Sequence, residues 1–507
     1  MKKIIFIAGI SLLSVPILTS YQVSANSVTN SNARVVSKGQ ESEVPFKDQA
    51  LVYAIKSALN LSDSDKITTE NILKLTELRT SGSGIKDLSG LEYAKNLKII
   101  TFDSEDISSL SPLSELPYLY SVGVPKCSKL TMPEILKLKH LTELNLSGLK
   151  FSQSEFDQLS AYEQMTFLVL NDCGLKDTSF MSTMKSLNIL QLNDNNLTSL
   201  EGISSDNLIA LTATNNQLTQ VDTNNFPKIK QIVLRNNSLQ TLSGLDNLSD
   251  LVILNLDNNQ LKNFSLKNLS SIKTITADNN LLNEVSFNNL PTLSEVTLTN
   301  NSISKLTNWD KLPKLTKLSL TNNSQLKDVS PLVAAPSLQE LSLESCNTIS
   351  DFSSLSNLNS LTRLFLSYTG ITNSEIMQIG KLPNVYLLSL NGNKLSNISF
   401  LEQFPHLSQL ALNQNSISDM STMPNGIIFY CQNQAVKLPK TTVNEPTQLA
   451  LKDSTGNLPL LSNWIGEGKI INDDNQQLLV WSTSGDNSFD FSSESGLFTG
   501  RIQQEVS

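Results

Sequence analysis

The chain has 507 residues, and its 38 Lys plus Arg against 47 Asp plus Glu give a formal net charge of −9. That acidic balance argues against nucleic acid and against anionic membrane surfaces, which both select a basic face. Two histidines, His140 and His406, lie far apart in sequence and leave little for a histidine metal site or a histidine base. The first 25 residues read as an address: Lys2 and Lys3, an apolar run from Ile4 to Leu18 broken by Pro16, then Val23-Ser24-Ala25 for a signal peptidase. This predicts a cleaved secretory signal over 1–25. Residues 26–43 are polar and aperiodic, which predicts a flexible leader. Phe46, Leu51, Ala54, Ile55 and Leu59 then recur at helical spacing, and a second short helix is expected from Thr68 or Thr69 through Ile72 and Leu75. Together these form an N-terminal helical cap over 44–74.

From Leu75 the chain repeats itself. The frame Leu-x-x-Leu-x-Leu-x-x-Asn-x-Leu starts at Leu75, Leu97, Leu119, Leu141, Met165, Leu187, Leu208, Ile229, Leu251, Ile272, Leu293, Leu315, Leu338, Leu361, Val385 and Leu407. These are 16 starts, 21 to 24 residues apart, and a fading copy follows from Gly426 through Phe429, Cys431 and Val436. The fold class is a leucine-rich repeat solenoid over 75–438, a horseshoe with a parallel sheet on its concave face. A strand is expected at positions 4 to 6 of each coil, with positions 1, 4, 6 and 11 turned inward. The short period leaves room on the convex side for 3₁₀ turns or extended chain rather than a full helix of ~11 residues.

Asn195, Asn216, Asn237, Asn259, Asn280, Asn301, Asn323, Asn393 and Asn415 all fall on position 9. The chain bends there and leaves backbone groups without a strand partner, so stacked side-chain amides are expected to satisfy them. Pro117, Pro227, Pro291, Pro313, Pro336, Pro383 and Pro405 each stand two residues before a repeat start, where a missing N–H is tolerated. Cys127, Cys173 and Cys346 also occupy position 9, while Cys431 sits in the fading copy. Cys127 and Cys173 are two coils apart, ~9.5 Å at the usual strand spacing, and a disulfide needs α-carbons within ~7 Å. Four free, buried thiols are therefore expected.

After Pro439 the period stops. Short alternating stretches over 439–507, including Gln477–Trp481, Phe489-Asp490-Phe491 and Leu497–Val506, are separated by polar turns. They predict an immunoglobulin-like β-sandwich that covers the open end of the solenoid, with Trp464 and Trp481 in its core.

Phe46-Lys47-Asp48, Ala54-Ile55, Leu75-Thr76-Glu77-Leu78, Ile85-Lys86-Asp87-Leu88-Ser89-Gly90-Leu91 and the junction Asn433-Gln434-Ala435-Val436-Lys437-Leu438-Pro439 resemble the corresponding passages of the internalin family of Gram-positive bacteria. The resemblance covers nearly the whole mature chain. It implies a surface or secreted protein whose concave face binds other proteins, in the best-known members receptors of the host cell. Many members end in a Leu-Pro-x-Thr-Gly sorting signal with a membrane tail, and others in basic wall-binding modules. This sequence shows neither, nor a Trp-x-Leu motif, so release into the medium with at most loose surface association is the expectation.

Side chains at positions 2, 3, 5, 7 and 8 line the concave face. Most are small and polar, and the exceptions cluster. Arg363, Phe365 and Tyr368 share one coil, with Tyr386 and Leu387 on the next; Phe167, Val169 and Ile189 form a second group, with Tyr120 further towards the N-terminus. Exposed aromatics beside an arginine are the residue types that dominate interface energy. The plainer alternative is that neighbouring aromatics only shield one another across strands. Lys317, Glu340 and Glu344 offer polar rim contacts. No Gly-x-Ser-x-Gly elbow, phosphate-binding glycine loop or His/Glu metal pair occurs, so neither an enzyme nor a cofactor or metal is expected. Asp-Asn runs such as Asp257-Asn258-Asn259 lack the spacing and glutamate of a calcium loop. The expected function is a monomeric, non-enzymatic binder of a host protein or receptor. The alternative is a binder of the bacterium's own wall polymer or glycan.

Overall fold

A computed structural model describes residues 42–473 and 476–507. The predicted signal segment and nearly all of the leader lie outside the described residues. Glu43–Ser507 form one compact unit.

The unit opens on a helix, Gln49–Leu59, that buries Leu51 and Ile55 and ends at Asn60 in the left-handed region. Asp48 starts it and also ties it down. One carboxylate oxygen accepts from the N–H groups of Ala50 (2.9 Å) and Leu51 (3.2 Å); the other accepts from those of Lys86 (2.7 Å) and Asp87 (3.2 Å) beside the first coil. A single residue thus satisfies orphan helix donors and docks the helix on the repeats. The expected second helix is only a 3₁₀ turn, Asn71–Lys74, with Ile72 buried. Thr68 and Asn71 exchange side-chain-to-backbone bonds across that turn. Leu75 is already extended, which leaves no room for a longer helix.

Each coil from Leu75 onward contributes one strand to a long parallel sheet, from Glu77–Ser81 and Ile99–Asp103 to Leu387–Ser389 and Gln409–Ala411. The strands begin at position 3, one residue earlier than expected, and most end at position 5. They end there because the chain turns through position 8 with a positive φ at nearly every coil, from Ser104 to Asn433. Asparagine tolerates that conformation better than other side-chain-bearing residues, which explains the Asn-Asn pairs at positions 8 and 9. Inward positions 1, 4, 6 and 11 are buried, as at Leu187, Leu190, Leu192 and Leu197.

Coil length and local start signals together shape the other side of the solenoid. The two coils of 24 residues, starting at Leu141 and Leu361, carry short α-helices at Gln153–Phe156 and Asn373–Gln378, each opened by a capping box, and the 22-residue coil from Leu119 carries a third, Met132–Ile135, with Pro133 in its first turn. Tighter coils in the middle run extended there. They form a two-stranded sheet (Gln220–Asp222, Thr241–Ser243) and a three-stranded sheet (Asn263–Lys267, Glu284–Asn288, Lys305–Asp310). A strand rises about twice as far per residue as a helix, so it spans the same gap with fewer residues. Towards both ends, 3₁₀ turns such as Ser111–Leu113 and Ser353–Asn357 replace the strands.

Position 9 carries the asparagine ladder. Asn195 Nδ2 donates to the carbonyls of Leu170 (2.7 Å) and Leu192 (2.9 Å), while its Oδ1 accepts from the N–H groups of Cys173 and Leu175 (both 3.0 Å). One buried amide therefore stitches two coils. The cysteines at this position keep half of the pattern. Cys127, Cys173 and Cys346 each direct Sγ at the position-6 carbonyl of the preceding coil, Phe102 (3.1 Å), Leu146 (3.3 Å) and Leu320 (3.1 Å). All four cysteines are free and buried.

The last rung belongs to two structures. Strand Ile428–Lys437 pairs first with Gln409–Ala411 and then, in parallel, with Phe498–Val506. Gly485–Ser492 and Leu460–Ile465 extend that sheet antiparallel, and Thr447–Gln448, Gln476–Trp481 and Gly468–Asp473 form a second antiparallel sheet. This arrangement is compatible with an immunoglobulin-like domain. Its core holds Trp481, whose Nε1 donates to Gln504 (3.0 Å), while half-buried Trp464 stacks on Phe489.

Candidate partner-binding face

The sheet face turned away from the leucine core presents side chains from positions 3, 5 and 7, in rows one strand apart. Position 3 carries an alternating charge network on consecutive coils. Lys317 Nζ lies 3.0 Å from Glu295 and 3.9 Å from Glu340, and Arg363 lies 2.5 Å from Glu340. Arg363 is thus held in place from behind rather than waving free. Beside it in the row stands half-buried Leu387, directly opposite in register, and Phe365 stands opposite Ser389.

Tyr386 is exposed, and Tyr368 is 51% exposed. Tyr368 occupies position 8 with φ of +57°, and among the described residues it is the only aromatic held in the left-handed region. Its ring lies across Gly392, the position-8 residue of the next coil, and its hydroxyl donates to Gln414 Oε1 (2.8 Å) one coil further on. Arg363, Phe365, Tyr368, Tyr386 and Leu387 are therefore brought together on adjacent coils.

The second predicted group is looser. Phe167 and Ile189 face each other in register and are half-buried. Val169 is only 4% exposed, so it offers little surface. It ends its strand, opposite Asn145 and Gln191 of the two neighbouring coils. Tyr120 is exposed but stands two coils before Phe167, apart from the pair. Of the rim residues, Glu340 is buried in its ion pairs, and burial raises the Glu344 carboxyl above its usual range.

Two features escape a reading from the frame alone. The rows continue past the last good repeat: Ile428, 54% exposed, follows Gln409 at position 3, and Tyr430 follows Ala411 at position 5. Counting outward positions on the fading copy from Gly426 would have found both. Position 7 also carries its own ladder. Asn171 Oδ1 accepts from the N–H of Asn193 (2.8 Å) and Asn193 Oδ1 from that of Thr214 (2.9 Å); Asn391 and Asn413 repeat the pattern (2.9 and 2.8 Å). Two hollows occur on the opposite side of the coils, one beside Gln220 and Asp222, the other beside Asp246 and Lys267. Neither contains a predicted site residue. No helix among the described residues is long and apolar enough to cross a membrane.

Residues 313–357 match the family described as leucine-rich repeats (2 copies). Among solved structures, the functional domain of InlJ from Listeria monocytogenes, described as including a cysteine ladder, is 20% identical; the match covers 92% of this chain and 99% of that one, with a TM-score of 0.65. A leucine-rich repeat protein of Leptospira interrogans is 22% identical over 71% of this chain and 97% of that one, with a TM-score of 0.50. An internalin, InlF, of Listeria monocytogenes matches at 23% identity over 72% of this chain and 95% of that one, with a TM-score of 0.48. In fold, the chain is an internalin-like leucine-rich repeat protein.

Proposed function

We propose that this is a secreted, non-enzymatic binding protein whose sheet face engages a host protein or receptor. The carrying observation is the group towards the C-terminal end of that face, where Tyr368 and Tyr386 are exposed on the coils of Phe365, Leu387 and a braced Arg363, with exposed Ile428 further along the same row beyond Gln409. Rigid aromatics around a fixed guanidinium lose little entropy on binding and match the composition of interface hot spots. The repeat array supports the reading because Arg363, Phe365, Leu387 and Ile428 stand on paired strands, with Tyr368 and Tyr386 close to the ends of those strands. Contributions to adhesion and virulence follow from that role. The second reading, an envelope glycan as ligand, is favoured by one detail: the Tyr368 ring lies beside the Gln414 amide, an aromatic next to a planar polar group on which a sugar can stack.

The test is binding of residues 26–507 to host cells and to bacterial wall sacculi side by side. A variant with Phe365→Ser, Tyr368→Asn and Tyr386→Ser runs alongside, with folding checked by thermal melting. Host-cell binding lost in the variant supports the receptor reading and its location. Retention by sacculi alone overturns it in favour of the glycan.

A further inference from the structure

The sequence holds two Asn-Gly pairs, Asn391-Gly392 and Asn425-Gly426. An asparagine before a glycine carries a labile amide. The next backbone nitrogen can attack the side-chain carbonyl carbon, and a glycine, with no Cβ, leaves that nitrogen uncrowded. Attack needs a nitrogen whose N–H is not already engaged and a side chain free to swing towards it. On both counts the fold treats the two pairs in opposite ways.

Asn391 belongs to the position-7 ladder and is held from several sides. Its Oδ1 accepts from the N–H of Asn413 (2.9 Å), and its main-chain carbonyl accepts from the N–H of Tyr368 (2.7 Å). The attacking nitrogen would be that of Gly392, which donates to the carbonyl of Asn413 (2.8 Å) with the Tyr368 ring lying over it. Asn425 has none of this. It follows Pro424 in a turn, and Pro424, Asn425 and Gly426 are all exposed. The chain is tied as far as Met423, whose N–H donates to the carbonyl of Met420 (2.9 Å), and again from Ile428, whose N–H donates to that of Ser408 (2.9 Å). Between those points neither the Asn425 side chain nor the N–H of Gly426 makes a hydrogen bond. Gly426 lies in the left-handed region with φ of +90°, and a Cβ built on it would meet nothing within 4 Å. The turn is open where the ladder is closed.

We infer that Asn425 is a modification site: in the folded chain it turns spontaneously into aspartate and isoaspartate, while the ladder preserves Asn391. The Gly426 nitrogen bonds to Cγ of Asn425 and gives up its proton. The Cγ–Nδ2 bond breaks, and Nδ2 leaves with that proton as ammonia. The five-membered imide then takes up one water. Opening at Cγ gives aspartate; opening at the main-chain carbonyl gives isoaspartate, whose backbone runs through the side chain and is one methylene longer. One water enters and one ammonia leaves, so no oxidant, reductant or enzyme is needed. Either product places a negative charge just before strand Ile428–Lys437, beside the exposed Ile428 of the outward row. The site therefore lies at the joint between the last good coil and the shared strand.

The experiment is storage of residues 26–507 at physiological temperature and mildly alkaline pH, folded and in guanidinium chloride. Digestion in acid and mass spectrometry then follow the peptide holding each asparagine. Conversion is read as the mass gain of an amide turned acid, and isoaspartate separately by methylation with an isoaspartyl methyltransferase. Expected in the folded chain is conversion of Asn425 about ten-fold or more faster than that of Asn391, which must wait for local opening of its coil. In guanidinium chloride the gap is expected to close to within about three-fold, since both glycine nitrogens are then free. An Asn425→Ser variant should release ammonia from the folded chain only at the background rate. Asn391 keeping pace with Asn425 in the folded chain would overturn the inference, as would an Asn425 that stays intact there. A gap that persists in guanidinium chloride would assign the difference to neighbouring side chains instead of the fold, and would overturn it equally. None of these outcomes depends on what the sheet face binds.

Discussion

The hydroxyl of Tyr368 donates to Gln414 two coils away, and the ring between them lies where the side chain of Gly392 would be. The central coils use asparagine at this position for a one-step exposed ladder, with Asn215, Asn236 and Asn258 each donating to the position-8 side chain before it (2.6 to 2.7 Å). Around Tyr368 the ladder changes stride. A glycine opens the gap, and a tyrosine spans it at the cost of a conformation that bulky side chains avoid.

Replacing Gly392 with alanine is therefore expected to disturb Tyr368 specifically. A Cβ there would fall 2.2 Å from the ring, and the backbone φ of +64° strains any side chain. We expect a loss of about 1–3 kcal/mol in urea denaturation. The same change in a Tyr368→Asn background should cost clearly less, since the ring is gone and only the φ penalty remains. An unchanged cost would show that the ring is not packed on Gly392.

The buried amide ladder makes a larger prediction. Asn280 donates to the carbonyls of Leu256 (3.0 Å) and Ala277 (3.2 Å) and accepts from the N–H of Leu261 (3.1 Å). Asn280→Ala leaves the Leu261 N–H buried and unpaired, while the Leu256 and Ala277 carbonyls keep the amides of Asn259 (2.9 Å) and Asn301 (2.9 Å), for an expected loss of about 1–3 kcal/mol measured by denaturant unfolding. An exposed asparagine with an ordinary backbone, such as Asn188→Ala, should cost well under half of that.

The thiols are expected to be silent until the chain unfolds. Burial pushes Cys127 and Cys346 up to about 11 and Cys173 up to about 12, and it raises Cys431 as well. Reagents that need a thiolate should find none in the native protein at pH 8. Four should react after denaturation without reductant. Recovery of two would mean a disulfide.

Asp278 gives the pH test. Its carboxyl, at about 6 in the folded chain, titrates nearer 3.8 once unfolded. The folded state therefore prefers the protonated acid, and the ionised form costs stability above pH 6. That cost fades as pH falls through 6 and is gone below about 4. Asp278→Asn should thus be more stable than wild type at pH 7, by roughly 1–2 kcal/mol given the half-open surface. The two should converge near pH 4. A constant difference across that range would rule out titration of Asp278 as the cause.

The solenoid was legible because its signal is redundant: leucines, prolines and asparagines report one phase independently. The convex side was less so. Whether ten residues become a helix or a strand depends on coil length and on the neighbouring coil, as the contrast between Gln153–Phe156 and Glu284–Asn288 shows. At the candidate site, residue type picked out Arg363, Phe365, Tyr368, Tyr386 and Leu387 as neighbours. Val169, 4% exposed, offers less surface than its outward position implies, which residue type does not report.

The strand shared by repeats and β module sets how the two respond to force. Ile428–Lys437 enters from the coils at its first residue, while its parallel partner Phe498–Val506 ends at the opposite extremity. A pull between the coils and Val506 therefore loads the intervening hydrogen bonds side by side, in shear, rather than unzipping them one at a time. A partner gripping the repeats while tension acts beyond the module would meet a joint that yields late and all at once.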